Sequence, residues 1–111
     1  MDPVRSYPQF QHMMVGRDYI LKVCGEVDVY TEPLLTAALQ KGFGAGRIIV
    51  DFTECRYADA RAISALVRAR KQAAVPIHLV LETESILRRI LRITKVDGLF
   101  VIFPTLEAAA A

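Results

Sequence analysis

The stretch from Ile48 to Lys71 constrains the fold more than any other part of the chain. It opens with a continuous apolar run, Ile48 to Val50, which is followed by Asp51 and Phe52. β-Branched residues without polar alternation are typical of a strand that is buried on both faces. From Ala60 the hydrophobic period changes to that of a helix. The sequence therefore predicts a buried strand, a short polar turn and a helix, and this turn is the first place to look for function.

The predicted helix after this turn has two contrasting faces. At 100° per residue, one face is apolar and carries Ala62, Leu66, Ala69 and Ala73, with Ile63 at its edge. The opposite face is polar and mostly basic and carries Arg61, Ser64, Arg68 and Lys71. Asp59, just before the first helical turn, is an N-cap candidate, and its charge suits the positive end of the helix dipole. We expect the apolar face to pack on a sheet and the basic face to lie in solvent.

The remaining elements alternate along the chain. Extended segments are predicted over residues 9–15, 19–24, 48–52, 77–81 and 100–103. Helices are predicted from a Thr31 cap with Pro33 in the first turn to a stop at Gly42, from 60 to Pro76, from a Thr83 or Ser85 cap to Lys95, and as a stub over 104–111. The first two strands form a hairpin, and helical crossovers make later pairs parallel. The sequence predicts an α/β fold with a mixed, largely parallel sheet of four to five strands and helices packed on it.

Length and composition are those of a single globular domain. With 111 residues the chain can bury one core but not two, and 53% hydrophobic against 23% charged residues is the balance of a folded protein. The net charge of +2 is too small to indicate nucleic acid or a membrane surface. The opening residues lack a signal-peptide core, and no apolar run approaches the ~20 residues of a membrane span. We expect one domain over residues 1–111 in the cytoplasm, with no nucleic-acid partner and no direct membrane insertion.

Residues with catalytic or metal-binding chemistry lack the spacing that such chemistry needs. Cys24 and Cys55 form no CxxC pair and indicate buried, reduced thiols. The glycine-rich stretch 42–46 follows a predicted helix, whereas nucleotide-binding loops follow a strand. His12 and His78 have no metal-ligand spacing around them, and no serine lies in a nucleophile elbow. We expect no metal site, no cofactor and no enzymatic activity.

The third predicted helix also carries cations, namely Arg88, Arg89, Arg92 and Lys95. Positive charge toward a helix C-terminus suits the dipole, so a solvated, stabilising face is one interpretation. A basic surface shared with the preceding helix and facing an acidic partner is the alternative. Phosphate or nucleic acid ranks third, because aromatic residues are not interleaved with these charges.

Several short stretches, in their order and spacing, resemble a known family. In the first two thirds of the chain these are Gly25–Asp28, Val50–Thr53, Tyr57–Ala60 and Ala65–Arg70. In the last third they are Arg88–Leu91, Val96–Phe100, Phe103 and Leu106–Ala108. Together they resemble a STAS domain, and most closely the small, free-standing bacterial anti-sigma-factor antagonist type. The resemblance implies a mixed sheet with helices, in agreement with the order of elements above.

The resemblance also implies a regulatory site at the turn after the central strand. In the family this turn typically reads Asp-Ser-x-Gly, and a partner anti-sigma factor that is also a kinase phosphorylates the serine. The dephosphorylated form binds this partner and frees the sigma factor. Here Asp59 matches, but Ala60 replaces the serine and Ala62 the glycine. Ala60 has no hydroxyl and cannot accept phosphate, while Asp28 is expected near the same turn; an engineered serine-to-alanine change would give the same sequence.

The resemblance leads to two functional hypotheses. The first is a regulatory protein-binding domain, monomeric or weakly dimeric, that engages an anti-sigma factor or serine-kinase-type partner without being phosphorylated at this site. Its predicted binding residues are Asp28, Asp59, Ala60, Arg61, Ser64, Arg68 and Lys71. The alternative is an accessory or scaffold STAS subunit of a stressosome-like or lipid-transport complex. Thr31, Thr53 and Ser64 are substitute phosphate acceptors, and in the simplest case the site has no role and Ala60 only packs.

Overall fold

The computed structural model describes residues 9–111 of the chain. In chain order its elements are β1 (Phe10–Val15), β2 (Asp18–Val27), α1 (Glu32–Gln40), β3 (Arg47–Ala58), α2 (Ala60–Gln72), β4 (Ile77–Val80), α3 (Ile86–Ile93), a 3-10 turn (Asp97–Leu99), β5 (Val101–Phe103) and α4 (Leu106–Ala110). The five strands form one sheet in the order β1-β2-β3-β4-β5. Only β1 and β2 are antiparallel among these neighbours. The predicted α/β class and the mixed, largely parallel sheet are confirmed.

The hairpin of β1 and β2 turns within two residues. Val15 pairs with Asp18, and Gly16 between them has a φ of +61°, a conformation that glycine adopts at little cost. β2 then continues to Val27 instead of ending at Cys24 as predicted. The C-terminal end of β2 therefore lies beside the C-terminal end of β3.

The central strand β3 is longer than the sequence suggested. The predicted strand ended at Phe52 and a polar connection followed, but β3 runs on to Ala58. The prediction was wrong because the second half of β3 pairs with β2, with Gly25 opposite Cys55 and Val27 opposite Ala58. Two register shifts interrupt this pairing, and such irregularities remove the simple alternation that marks a strand in a sequence.

The core lies mainly between the sheet and helices α1, α2 and α3. The predicted apolar face of α2 is confirmed, since its buried side chains are Ala62, Ile63, Ala65, Leu66 and Ala69, with Ala73 just beyond. A smaller cluster on the other face of the sheet joins Ile49 and Val80 to Ala109 of α4. The outer face of α2 is therefore held in solvent by the packing of its inner face.

The two ends of α1 differ from their sequence prediction. The Thr31 side chain makes no cap hydrogen bond to the helix; its hydroxyl donates to the Glu26 carbonyl at 3.1 Å. The helix ends at Gln40, before the predicted stop at Gly42. Gly42 has a packing role instead, because a Cβ at this position would clash with the buried ring of Tyr19.

Of the two predicted N-caps of helix α3, Thr83 and Ser85, the structure shows Ser85. The Ser85 hydroxyl accepts from the Arg88 N–H at 3.1 Å. Leu87 and Leu91 are buried and Thr94 is exposed, and the helix ends at Ile93 instead of the predicted Lys95. The Thr94 hydroxyl donates a hydrogen bond to the Ile90 carbonyl at 2.7 Å. The hydroxyl is therefore satisfied within its own helix, and the Thr94 side chain contributes little to packing.

Candidate functional site

The turn between β3 and α2 is fixed by Asp59. One carboxylate oxygen accepts from the Arg61 backbone N–H at 2.9 Å, which confirms the predicted N-cap. The other oxygen lies 3.1 Å from the Arg61 guanidinium. Ala60 is the first residue of α2 and is exposed. The turn thus presents a small apolar residue beside a carboxylate whose orientation is set by the helix end.

The loop between β2 and α1 is fixed by a second carboxylate, Asp28. Its Oδ1 accepts from the N–H groups of Tyr30 at 2.9 Å and Thr31 at 3.1 Å, and the Thr31 hydroxyl accepts from the Asp28 N–H. Desolvation opposes ionisation, but the hydrogen bonds from Thr31 and Tyr30 outweigh it and lower the pKa of Asp28. Asp28 therefore carries its charge throughout the neutral range and fixes the loop that leads into α1, while α1 itself has no side-chain cap.

The two carboxylates follow directly on neighbouring strands. Val27 at the end of β2 is paired with Ala58 at the end of β3, in parallel register. Adjacent strands lie about 4.8 Å apart, so the loops that leave them are side by side. The structure therefore brings Asp28, Asp59 and Ala60 together where the C-terminal ends of β2 and β3 meet. We call this end of the sheet the β2/β3 edge.

The polar face of α2 is exposed but partly engaged within the chain. Arg61, Ser64, Arg68 and Lys71 all face solvent. The Arg68 guanidinium nevertheless lies 3.2 Å from a Glu32 carboxylate oxygen and 3.4 Å from the Thr36 hydroxyl, both on α1. Arg61 is paired with Asp59, so two of the predicted binding cations already have acidic partners in the fold.

Exposed apolar residues at the β2/β3 edge were missed by the sequence reasoning. Tyr30 is 84% exposed and Tyr57 is 52% exposed, and Val29 and Leu34 lie near Tyr30 in the chain with about half of their surface in solvent. Tyrosine is over-represented among the residues that dominate protein interfaces. The sequence feature that could have revealed them is the apolar pair Val29-Tyr30 in a predicted loop, because loop residues are normally exposed to solvent.

A groove of about 570 Å³ lies between the end of β3 and the start of α3. Its apolar lining includes Phe52, Ala58, Leu81 and Leu87, and its charged lining includes Arg56, Glu82 and Glu84. Tyr57 also lines it, so the groove continues from the β2/β3 edge. Burial raises the pKa of the Cys55 thiol in this lining, which keeps the thiol protonated and a poor nucleophile at neutral pH.

The other candidates from the sequence lie away from this edge. His12 stacks on Tyr19 with ring centroids 5.5 Å apart, and burial lowers the pKa of His78, whose ring lies against Phe103. Within residues 9–111, no group of three His, Cys, Asp or Glu side chains is arranged to bind a metal. In the same range no helix has both the length and the apolar character needed to cross a bilayer.

The family model described as STAS domain matches residues 10–109 of this chain. The chain belongs to the STAS domain family. A search of curated protein sequences finds no match. Solved structures of anti-sigma factor antagonists are nevertheless similar over most of the chain.

One similar structure is an anti-sigma factor antagonist from Mycobacterium paratuberculosis, with a TM-score of 0.83 at 19% identity, covering 91% of this chain and 89% of the other. A second is the anti-sigma factor antagonist SpoIIAA in its unphosphorylated form, with a TM-score of 0.66 at 20% identity, covering 91% and 93%. The Bacillus cell fate determinant SpoIIAA in its phosphorylated form gives a TM-score of 0.67 at 18% identity, covering 91% and 96%. At these identities the similarity shows that the fold is shared.

Proposed function

We propose that this STAS domain is a regulatory binding protein of the anti-sigma-factor antagonist type. It engages an anti-sigma factor or serine-kinase-type partner through the β2/β3 edge and the adjoining face of α2. The observation that carries the proposal is the convergence of two fixed carboxylates, an exposed small residue and two exposed tyrosines at that edge. The similarity of the fold to two anti-sigma factor antagonists supports the choice of partner class.

The chemistry of the edge suits a protein partner. Tyr30 and Tyr57 offer large, rigid contact areas that order at little entropic cost. Ala60, exposed at the same edge, is small and leaves room for close approach of another backbone. Asp28 and Asp59 are held by hydrogen bonds before the partner arrives, so they lose little further freedom on binding. Ser64 and Lys71 extend the surface along α2.

The role proposed for Arg68 changes in view of its contacts. Because Arg68 bridges α2 to Glu32 of α1, it helps to hold the two helices that flank the edge. It remains half exposed and can still meet a partner. We therefore assign Arg68 a positioning role together with a contact role, and assign Arg61 to the rim because it is already paired with Asp59.

The proposed regulation lacks a phosphorylation switch at the usual site. Ala60 cannot accept phosphate, and a phosphate there would bring roughly −1.5 to −2 charge beside Asp28 and Asp59. Of the substitute acceptors, Thr53 donates its hydroxyl to the buried Asp51 at 2.7 Å and Thr31 is tied to Glu26 and Asp28. Ser64 is exposed, and its hydroxyl forms no hydrogen bond with another residue of the range 9–111, so it is the acceptor that is free to react. The domain is thus proposed to stay in its binding-competent form.

Affinity purification of the wild-type chain from its native cell, with Ala60→Asp as a matched bait, tests the proposed function. We expect a small ATP-binding, kinase-like protein to be recovered by the wild type and depleted with the variant, because the added charge repels a surface that accommodates alanine. Recovery of membrane transporter subunits or of large STAS assemblies with both baits would contradict the antagonist role and support the accessory role instead.

A further inference from the structure

Among residues 9–111, β1 is an edge strand of the sheet, and its side that faces away from β2 pairs with no other strand. The Cys24 N–H donates to the Gln9 carbonyl at 2.8 Å, which sets the phase of the antiparallel ladder. In this phase residues 9, 11, 13 and 15 bond to β2, and the backbone groups of Phe10, His12 and Met14 point away from it. Within the described range 9–111, no residue forms a backbone hydrogen bond with these three. We call these outward groups the outer edge of β1.

The outer edge of β1 lacks the features that usually keep edge strands apart. Its sequence, FQHMMV, contains no lysine, arginine, carboxylate or proline, and its pairing with β2 shows no bulge. Met13, Met14 and Val15 are 57%, 56% and 54% exposed. The opposite edge strand, β5, has three residues, is followed at once by Pro104 and is packed against α4. The two edges of one sheet are therefore protected very differently.

We propose that the outer edge of β1 binds a second copy of this chain, with the two strands antiparallel about a two-fold axis at His12. In this register His12 faces His12 of the partner subunit, and Phe10 faces Met14 of the partner subunit. These pairs are of the hydrogen-bonded kind, because residues 10, 12 and 14 all have outward backbone groups. The result is one continuous ten-stranded sheet.

A second copy fits this edge for reasons of symmetry and charge. An antiparallel strand is complementary to itself about a two-fold axis, so a single surface supplies both halves of the interface. The strand contains no lysine, arginine or carboxylate, so its apposition to an identical strand opposes none of these charges, and none of them selects a charged partner. The register also sets Phe10 against a methionine, which is a favourable aromatic–thioether contact.

The size of the contact sets its strength. Six residues of strand bury well under the ~1,200 Å² that stable complexes need, so the dimer is weak and concentration-dependent. Because the two copies run antiparallel, their β2/β3 edges point in opposite directions. Each copy therefore keeps its proposed partner surface free, and the dimer presents two of them.

Sedimentation equilibrium of the whole chain tests the dimer. Between about 10 µM and about 1 mM, the range expected for so small an interface, the average mass should rise from 12.4 kDa toward twice that value. His12→Lys should weaken the association at least ~10-fold, since it opposes two ammonium groups at the axis. The matched control Val101→Lys adds the same charge at a half-exposed position of β5 and should leave the association unchanged.

Amide hydrogen exchange by NMR tests the register and the fold together. At high concentration the amides of Phe10, His12 and Met14 should become protected, while those of Met13 and Val15 are protected at every concentration. If His12→Lys alters the dispersion of the spectrum, Met14→Lys, one pair from the axis, replaces it in the mass measurement. A mass of one chain throughout, equal effects of His12→Lys and Val101→Lys, or new protection at other strands would overturn the proposal.

Discussion

The Arg68 guanidinium on α2 lies 3.2 Å from the Glu32 carboxylate on α1. The same carboxylate accepts from the Thr36 hydroxyl through its other oxygen, at 2.7 Å, so the acid is held from two sides. The two helices that flank the β2/β3 edge are thereby joined across their exposed surfaces. Arg68→Glu should lower the free energy of unfolding by about 1 kcal/mol, the upper end for a half-exposed ion pair, with two carboxylates then opposed. Urea denaturation measures this loss.

The matched control for that change is Lys71→Glu, which alters the same charge on the same face. No ion pair of Lys71 is found among residues 9–111, so the substitution should cost only the interaction of this charge with the C-terminal end of the α2 dipole, about 0.5 kcal/mol. Equal losses for the two variants would show that the Arg68–Glu32 contact contributes nothing specific.

Gly42 provides a test of packing against the Tyr19 ring. The Tyr19 hydroxyl donates to the Ala38 carbonyl at 2.6 Å, which fixes the ring over Gly42. Gly42→Ala should destabilise the fold by ~1–3 kcal/mol, because the added methyl displaces a buried ring. Gly44→Ala, in the same loop and with open space around its Cβ position, should change stability by less than ~0.5 kcal/mol. Thermal unfolding of both variants checks the difference, and similar midpoints would refute it.

Acid sensitivity should depend on the pair Asp18–Arg47, which joins the start of β2 to β3. The side-chain hydrogen bonds from Arg47, at 3.0 and 2.6 Å, lower the pKa of Asp18 despite partial desolvation. A lowered folded-state pKa contributes stability that is present above the unfolded value of about 3.9 and is lost as pH falls through the folded value. Asp18→Asn should therefore destabilise the protein at pH 7 and converge with the wild type in strong acid. Urea midpoints from pH 7 downward test this, and a constant difference would contradict it.

The wild-type chain should not be phosphorylated at position 60, whereas the Ala60→Ser variant should be. Ala60→Ser places a hydroxyl at the exposed start of α2, where the helix N-terminus stabilises a phosphate. With a kinase-type partner and ATP, mass spectrometry should locate phosphate on the introduced hydroxyl and not on Thr53, whose hydroxyl is bonded to Asp51. Failure of an active partner kinase to label this variant would argue against an ancestral switch at the turn.

Much of the fold follows from local patterns in the sequence. The apolar face of α2 and the Asp59 cap depend on residues close in the chain, and both were predicted. The second half of β3 depends on pairing with the irregular end of β2, and the Arg68–Glu32 bridge joins residues far apart in sequence. Periodicity carries no information about such contacts. For the same reason Asp28 could be assigned to the edge only through the resemblance, and its hydrogen bonds to the Tyr30 and Thr31 N–H groups were not predicted.

The placement of the partner surface on the β2/β3 edge is tested most directly by titration calorimetry with the purified partner. Ala60→Asp should weaken binding by ~2 kcal/mol or more, because it adds charge and bulk at the centre of the surface beside Asp28 and Asp59. Arg92→Glu, on the exposed face of α3, should cost well under ~1 kcal/mol. Both variants should keep the wild-type circular dichroism spectrum. If Arg92→Glu abolishes binding while Ala60→Asp binds normally, the partner docks on α3 and the proposed surface is wrong.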